Sequence, residues 1–573
     1  MTAFEIEELS FTARSVSDAD ARLPRFSNWP VVYLLEDGHD IYVGETGNAT
    51  NRMRQHLKSP AKEHLREVRV VFDDRFNGSA CLDLESFLIR LFGGDGRFDV
   101  LNRNDGITNR DYYQREEYLE TFREVFEELR ARGYFERSIP QIENTDLFKL
   151  SPYKALNTEQ GIAVLDIMEG LVDDLRTPAR TTAVIQGDPG TGKTIVGIYL
   201  MKLLRDLAQF DPTDEIDGDS MFSDLFLEGS RELFEGLRIG LVVPQKSLRQ
   251  SIEGVFRRVP ALRGTPVLTP YEVADAEEDF DILVVDEAHR LTQRAAQAHG
   301  TLTKRYGEIT RRLFGEDDYT INQLDWIHAR SRHTVLLLDT AQSVRPADIE
   351  PAVFDRVIAQ ARDEHRLYPL DTQMRVRGGS AYLEFARTLL SDEPPEHAPD
   401  LEDYEVELFD DLGAMHDRIR ERDAETGLSR LVAGYAWKWK SKKKGSTEVD
   451  IEIDGCRLRW NVSEVDWIAS RTALEEVGSI HTVQGYDLNY AGVIIGPDLR
   501  IAPATGKLAA DRKHYFDSRG KANNRMRGQV TTDEDLLRYI TNVYRVLMSR
   551  GMRGTYLYVV DPLLRERLRR VLG

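Results

Sequence analysis

Residues that would fix this chain by covalent links, or place it in a membrane, are scarce. Its 573 residues include two cysteines, Cys81 and Cys456, far apart and without CxxC spacing. That excludes a disulfide framework and a cysteine-built zinc site, and leaves both as buried thiols. No apolar run approaches the roughly 20 residues that span a bilayer. The opening MTAFEIEELS is acidic where a secretory leader is basic and then apolar, so a cytoplasmic protein without membrane contact is expected. Positive charge is also in deficit: 76 Lys and Arg stand against 97 Asp and Glu, a net charge of −21. Nonspecific coating of nucleic acid is thereby excluded, and any such contact must use local basic patches. Hydrophobic residues at 41% and charged ones at 30% are an ordinary globular balance, and the length calls for about three to four domains.

The organising stretch is GDPGTGKT, Gly187 to Thr194, between the apolar run Ala183-Val184-Ile185 and the helical pattern from Ile195 to Leu200. Gly187, Gly190 and Gly192 let backbone N–H groups close around phosphate oxygens. Lys193 can reach the β- and γ-phosphates, and the Thr194 hydroxyl can hold Mg²⁺. ATP with Mg²⁺ is the expected ligand. Upstream, Gln160 stands where an amide can read an adenine edge. Downstream, the strand Ile282-Leu283-Val284-Val285 closes on Asp286-Glu287-Ala288-His289. Asp286 suits the Mg²⁺ shell and Glu287 suits polarising the attacking water. Gln342, after the strand Thr334–Leu338, can sense the γ-phosphate or link it to a second lobe.

In the N-terminal region Val31–Leu35 and Ile41–Gly44 form a β-hairpin around Gly38, and Arg52 and His56 fall four apart on one helix face. Cys81 to Arg90 is an amphipathic helix carrying Glu85 among apolar neighbours, and Asn102 follows an apolar run. These residues resemble the GIY-YIG nuclease family over about residues 28–105, with Val31-Val32-Tyr33 standing for GIY and Tyr42-Val43-Gly44 for YIG. Val31 departs from the first glycine, and Glu45 directly after the second triplet is unexplained. The resemblance implies a single-metal phosphodiesterase: Glu85 holds Mg²⁺ or Mn²⁺, Arg52 neutralises charge on the scissile phosphate, and Tyr33 and Tyr42 orient or deprotonate water beside His56.

Residues 116–133 read as an amphipathic helix, and residues 138–146, without periodicity, as a linker. Later come Gln373-Met374-Arg375, His481-Thr482-Val483-Gln484-Gly485 and Tyr544-Arg545-Val546-Leu547-Met548-Ser549-Arg550-Gly551. With the phosphate loop and DEAH, these resemble superfamily 1 helicases, most nearly the bacterial ATPases related to the helicase module of Schlafen proteins. The resemblance implies Arg375 and Arg550 as arginine fingers, with Gln484 and Gly485 coupling nucleotide state to the nucleic-acid track. Residues 437–444 interleave Trp with Lys, a combination that either stacks bases or forms a solvated basic loop. Arg500 to Arg527 is basic and reads as a flexible element facing nucleic acid or the nuclease domain.

The expected architecture is α/β: a GIY-YIG-like nuclease domain (1–115), a connecting helix and linker (116–150), and two RecA-like lobes (151–365 and 366–573). The expected function is ATP-driven movement on nucleic acid coupled to metal-dependent cleavage, in defence or repair. DNA is favoured over RNA, and a protein partner or self-association is left open. The alternative is an ATP-gated switch that positions the nuclease domain or a protein partner without translocating.

Overall fold

The computed structural model describes residues 4–102, 112–153, 156–210, 221–226, 230–295, 300–339, 345–373, 376–401, 404–442, 446–462, 467–470, 472–483 and 487–573. The chain divides into two compact units. One comprises Met1–Ala179, Thr194–Ile239 and Ser251–Pro266; the other comprises Arg180–Lys193, Gly240–Gln250 and Val267–Gly573. Both are α/β, the expected class.

The first unit holds a five-stranded sheet of order β1-β4-β2-β3-β5. Its strands are β1 (Phe4–Ser10), β2 (Val31–Glu36), β3 (Asp40–Thr46), β4 (Glu67–Asp73) and β5 (Asp99–Val100). The hairpin turns at Gly38, whose φ of +92° is a conformation glycine adopts without strain. All six residues of β2 are buried. Val31, Tyr33 and Leu35 pack with Val16, Phe26 and Met53 from the helices Ala13–Arg22, Arg25–Asn28 and Ala49–His56. Helix Gly78–Asp95 packs against β2, β3 and β5. Helix Arg115–Ala131 buries Tyr118, Phe122, Val125, Phe126 and Leu129, the face its periodicity predicts. The stretch read as a linker has regular structure. Residues 138–149 form two short capped helices, Ile139–Glu143 and Asp146–Lys149, that pack on Gly78–Asp95 and bury Ile142. Thr145 Oγ1 donates to Gly94 O at 3.0 Å there. A single buried isoleucine and capping bonds outweigh weak periodicity when a helix is only four or five residues long.

The second unit carries two sheets. The first has order β11-β6-β10-β9-β7-β8. It is built from β6 (Thr181–Gly187), β7 (Ile239–Val242), β8 (Val267–Leu268), β9 (Phe280–Val285), β10 (Ser331–Leu338) and β11 (Leu367–Leu370). β6, β10, β9 and β11 are mutually parallel, and β7 runs parallel to β8. The edge strand β11 carries this sheet past residue 365. The second sheet has order β12-β20-β17-β13-β16-β15-β14. Here β12 (Glu405–Phe409), β13 (Ser429–Ala433), β15 (Cys456–Trp460), β16 (Glu476–Gly478), β17 (Leu488–Ile495) and β20 (Gly551–Val559) run parallel, and β14 (Ile451–Ile453) runs antiparallel at one edge. β17 is buried at every position, the continuous apolar pattern of a strand covered on both faces. Two parallel-sheet lobes of RecA-like kind are therefore present.

Residues 499–531 are not a loose basic loop. β18 (Leu499–Ile501) and β19 (Leu508–Ala510) form a hairpin, and the segment beyond it reaches the first lobe. Asn524 Nδ2 donates to Arg294 O at 3.1 Å, Arg527 Nη1 donates to Tyr319 O at 2.8 Å, and Arg345 lies 3.7 Å from Asp517. Of its positive charges, Arg500 pairs with Asp511, Arg512 with Asp533 and Arg527 with Glu350, and Lys521 donates to Tyr515 O.

Candidate functional site

The parallel register brings three strand ends to one edge. Leu338 pairs with Gln186, and Leu336 with Val285, so Gly187, Asp286 and Asp339 emerge side by side at the carboxyl ends of β6, β9 and β10. Ligands of open α/β sheets bind at such an edge. Gly190 and Gly192 have φ of +89° and +82°, where an L side chain would be strained. A Cβ on Gly187 would sit 2.6 Å from Thr191 Oγ1 and 2.7 Å from Leu370 O, so that position has no room for one. Gln373 Nε2 donates to Pro189 O at 2.7 Å and braces the loop from the chain beyond β11. Lys193 Nζ donates to Gly187 O and Asp188 O, at 2.6 and 2.8 Å, and lies 3.8 Å from Asp339 Oδ2. Thr194 follows it as the second residue of helix Lys193–Ala208.

Asp286 is 2% exposed, and its Oδ1 accepts the Glu287 N–H at 2.9 Å. Glu287 has a left-handed backbone, φ +50°, and its Oε2 is 3.0 Å from His289 Nε2. Burial opposes ionisation of Glu287, but the His289 ring, Arg290 and Lys193 outweigh it and hold the carboxyl well below the usual carboxylate range. Glu287 is therefore an anion beside a phosphate-binding loop, the charge state that polarising a water requires. The glycine cradle, Lys193 and the Asp286 carboxylate form a donor set that fits a nucleoside triphosphate with Mg²⁺.

The remaining expected residues divide. Arg550 is buried at the end of helix Asp533–Met548, and its Nε donates to Val546 O at 3.2 Å. Gln342, Arg375, Gln484 and Gly485 lie outside the described residues. Gln160 sits in a capping box: its Oε1 accepts Asn157 N at 3.1 Å, and its N–H donates to Asn157 Oδ1 at 2.7 Å. The acceptor half of that amide is thus committed to the start of helix Thr158–Leu175, which weakens its reading as an adenine contact. Sequence reading passed over Arg290, the residue directly after DEAH. Its side chain is buried beside Glu287 and lies 3.7 Å from Asp348. A charged residue following the acidic pair was the available signal.

In the N-terminal sheet Tyr33, Tyr42, Arg52 and His56 come together. His56 Nε2 is 2.7 Å from Tyr33 Oη, Arg52 Nε donates to the same oxygen at 3.2 Å, and Lys62 Nζ is 2.9 Å from His56 Nδ1. The Lys62 ammonium can only donate, so Nδ1 accepts, and the ring proton on Nε2 points at Tyr33 Oη. Lys62 also lies over the Tyr42 ring at 3.5 Å. Burial, with Lys62 and Arg52 nearby, pushes His56 down to about 2, so its imidazole is neutral. Burial and the adjacent Tyr42 raise Tyr33 well above the ordinary phenol range. Tyr33 is accordingly a protonated hydroxyl and suits orienting water rather than deprotonating it. The register pairs Tyr33 with Gly44, where a Cβ would fall 2.3 Å from the Tyr33 hydroxyl, so the glycine makes room for the phenol. Asn102 clamps the same strand, accepting from Val43 N at 3.1 Å and donating to Val43 O at 2.7 Å.

Glu85 is half-buried on helix Gly78–Asp95. Burial, together with the charges of Glu45 and Glu85, raises the Cys81 thiol, so the unexplained Glu45 places a second carboxylate near the same thiol as Glu85. Among the described residues, triads of metal-ligating type lie instead at the hairpin turn, as Asp37, Asp40 and His64 and as His39, Asp40 and Asp99.

The family model for the Schlafen group 3 DNA/RNA helicase domain matches residues 180–561. That range spans both parallel-sheet lobes, the phosphate loop and DEAH. The chain belongs to this family. As a Schlafen group 3 helicase-domain protein it has a helicase-like, nucleic-acid-related function. An uncharacterized protein of Saccharomyces cerevisiae is 28% identical over 404 residues, covering 68% of this chain and 83% of its own length. Among the described residues no helix is long and apolar enough to cross a membrane.

Proposed function

We propose that the chain is an ATP-driven nucleic-acid motor, built on residues 151–365 and 366–573, coupled to a metal-dependent endonuclease in residues 1–115 through residues 116–150. The observation that carries the motor reading is the convergence of Lys193, Asp286, Glu287 and Asp339 at one sheet edge. In that reading Lys193 binds the β- and γ-phosphates, Thr194 and Asp286 hold Mg²⁺, and ionised Glu287 orients the attacking water. The bound cation neutralises charge developing on the transferred phosphoryl group. Arg375 and Arg550 come from the second lobe, so hydrolysis and lobe closure depend on each other. Gln342, Gln484 and Gly485 link the γ-phosphate to the nucleic-acid track, and Gln160 borders the base.

The nuclease reading is supported by the Tyr33–His56–Arg52 cluster. Arg52 meets the scissile phosphate, Tyr33 and Tyr42 orient water, neutral His56 sets the direction of the Tyr33 hydroxyl, and Glu85 holds Mg²⁺ or Mn²⁺. DNA is the favoured substrate, and defence against foreign DNA or repair is the role such a fusion suits. Cleavage of single-stranded, duplex and branched DNA and of RNA, with and without ATP, tests both halves. Glu85→Ala is expected to abolish cleavage and spare ATP hydrolysis, while Lys193→Ala loses hydrolysis and the ATP-dependent part of cleavage. ATP hydrolysis that nucleic acid never stimulates, with no strand displacement, would favour the nucleotide-gated switch.

A further inference from the structure

Arg290 closes the short 3₁₀ turn Ala288–Arg290 directly after the acidic pair, and its N–H donates to Glu287 O at 2.8 Å. Its side chain is 10% exposed, and both Nε and Nη2 are buried without a hydrogen-bond partner. Nη1 makes only a loose approach to Asp348 Oδ2, at 3.7 Å, and that oxygen already accepts Arg345 N at 3.1 Å. A guanidinium is a fork of five donors that stays charged at neutral pH. Burying one with two donors unmatched is costly unless an anion completes it. The anions that bear on Arg290 are Asp348, Glu287 and Asp339, and Asp339 is the carboxylate 3.8 Å from Lys193 Nζ. Lys193 and Arg290 thus flank a common acidic neighbour at the mouth of the phosphate loop.

We propose that Arg290 is a γ-phosphate ligand supplied by the first lobe itself, its unmatched Nε and Nη2 donors completing on the terminal phosphoryl oxygens of ATP. This rests on the nucleotide-site reading above. The geometry favours phosphate over a purely structural ion pair, because a structural arginine facing Asp348 would close to a two-pronged contact instead of standing 3.7 Å away with two donors idle. It also assigns a function to the loop: the residues that carry Glu287 also deliver the cation that reads whether the third phosphate is present. Discrimination between ATP and ADP is then built into one lobe, before the second lobe contributes anything.

Binding of fluorescent ATP, its non-hydrolysable analogue and ADP to the full chain with Mg²⁺, together with kcat and KM, tests this for wild type, Arg290→Ala, Arg290→Lys and Lys193→Ala. Arg290→Ala is expected to weaken both triphosphates about tenfold or more while ADP stays within about twofold, with kcat reduced. Arg290→Lys should restore part of the triphosphate affinity, since a point charge replaces the fork. Equal weakening of ATP and ADP by Arg290→Lys, or an unchanged ratio between them, overturns the proposal and leaves Arg290 a structural cation. If Arg290→Ala melts early, the Arg290→Lys ratio decides alone. A wild-type chain that binds neither nucleotide sinks the nucleotide-site reading itself, an outcome distinct from intact binding with an unmoved ratio.

Discussion

Glu287 holds a left-handed backbone that non-glycine residues seldom adopt, and its ionised carboxyl lies beside the His289 ring, Arg290 and Lys193. Such a conformation persists only where its surroundings over-determine it, and here β9, His289 and the loop to Arg290 do so. Glu287→Gln keeps the shape and removes the charge. It is expected to bind ATP within a few-fold of wild type and to lose about a hundredfold or more in kcat, read by steady-state phosphate release. His56 makes a second prediction at this scale. Its ring is pushed down to about 2 in the folded state, against about 6.5 for an unperturbed histidine, so between those values the unfolded chain binds the extra proton. Stability from this residue is complete above about pH 6.5 and declines as the pH falls, by about 2 kcal/mol at pH 5. Denaturant titrations at pH 7.5 and 5 should show that loss, and His56→Gln should flatten it.

At the scale of elements, what could be read from sequence was what the chain keeps local. The phosphate loop with its flanking strand and helix, the DEAH strand and the hairpin of β2 and β3 each lie within one contiguous stretch of chain, and their periodicities are unambiguous. Long-range choices were invisible. Nothing in Asn157 to Gln160 reveals that the glutamine serves its own helix cap, and nothing in Arg500 to Arg527 reveals that its basic side chains find carboxylates and carbonyls on two lobes. Arg290 was missed for the same reason, since burial with two donors unmatched is a property of the folded neighbourhood. The segment after β13 sits between these cases. Lys438, Lys440 and Lys442 are exposed, while Trp437 and Trp439 pack partly against the lobe core. Alternation along an extended chain thus turns three ammonium groups to solvent beyond the carboxyl end of a parallel strand. Replacing all three with Glu is expected to weaken single-stranded nucleic-acid binding and to reduce the magnitude of its salt slope by about one for each phosphate no longer neutralised. Nucleotide binding should hold.

At the scale of the second unit, residues 511–531 join the two parallel sheets through side chains of opposite lobes. A strap of this kind lets a change at the phosphate loop reach the second lobe through packed, hydrogen-bonded atoms. Asn524→Ala with Arg527→Ala is expected to lower nucleic-acid stimulation of ATP hydrolysis several-fold while leaving ATP affinity near wild type, checked by hydrolysis rates with and without DNA. Loss of ATP affinity instead would assign the strap to nucleotide binding.

The edge strand β11 has a consequence for how the protein is made. β6, which carries the phosphate loop, bonds on one side to β11, a strand synthesised just over 180 residues later, and Leu370 O closes over Gly187. Until the ribosome has released residue 370, β6 presents an unpaired apolar border, the kind of surface that recruits other chains. The nascent first lobe therefore passes through a window of aggregation risk that ends only when β11 docks. A fragment cut at residue 365 would remain in that window permanently.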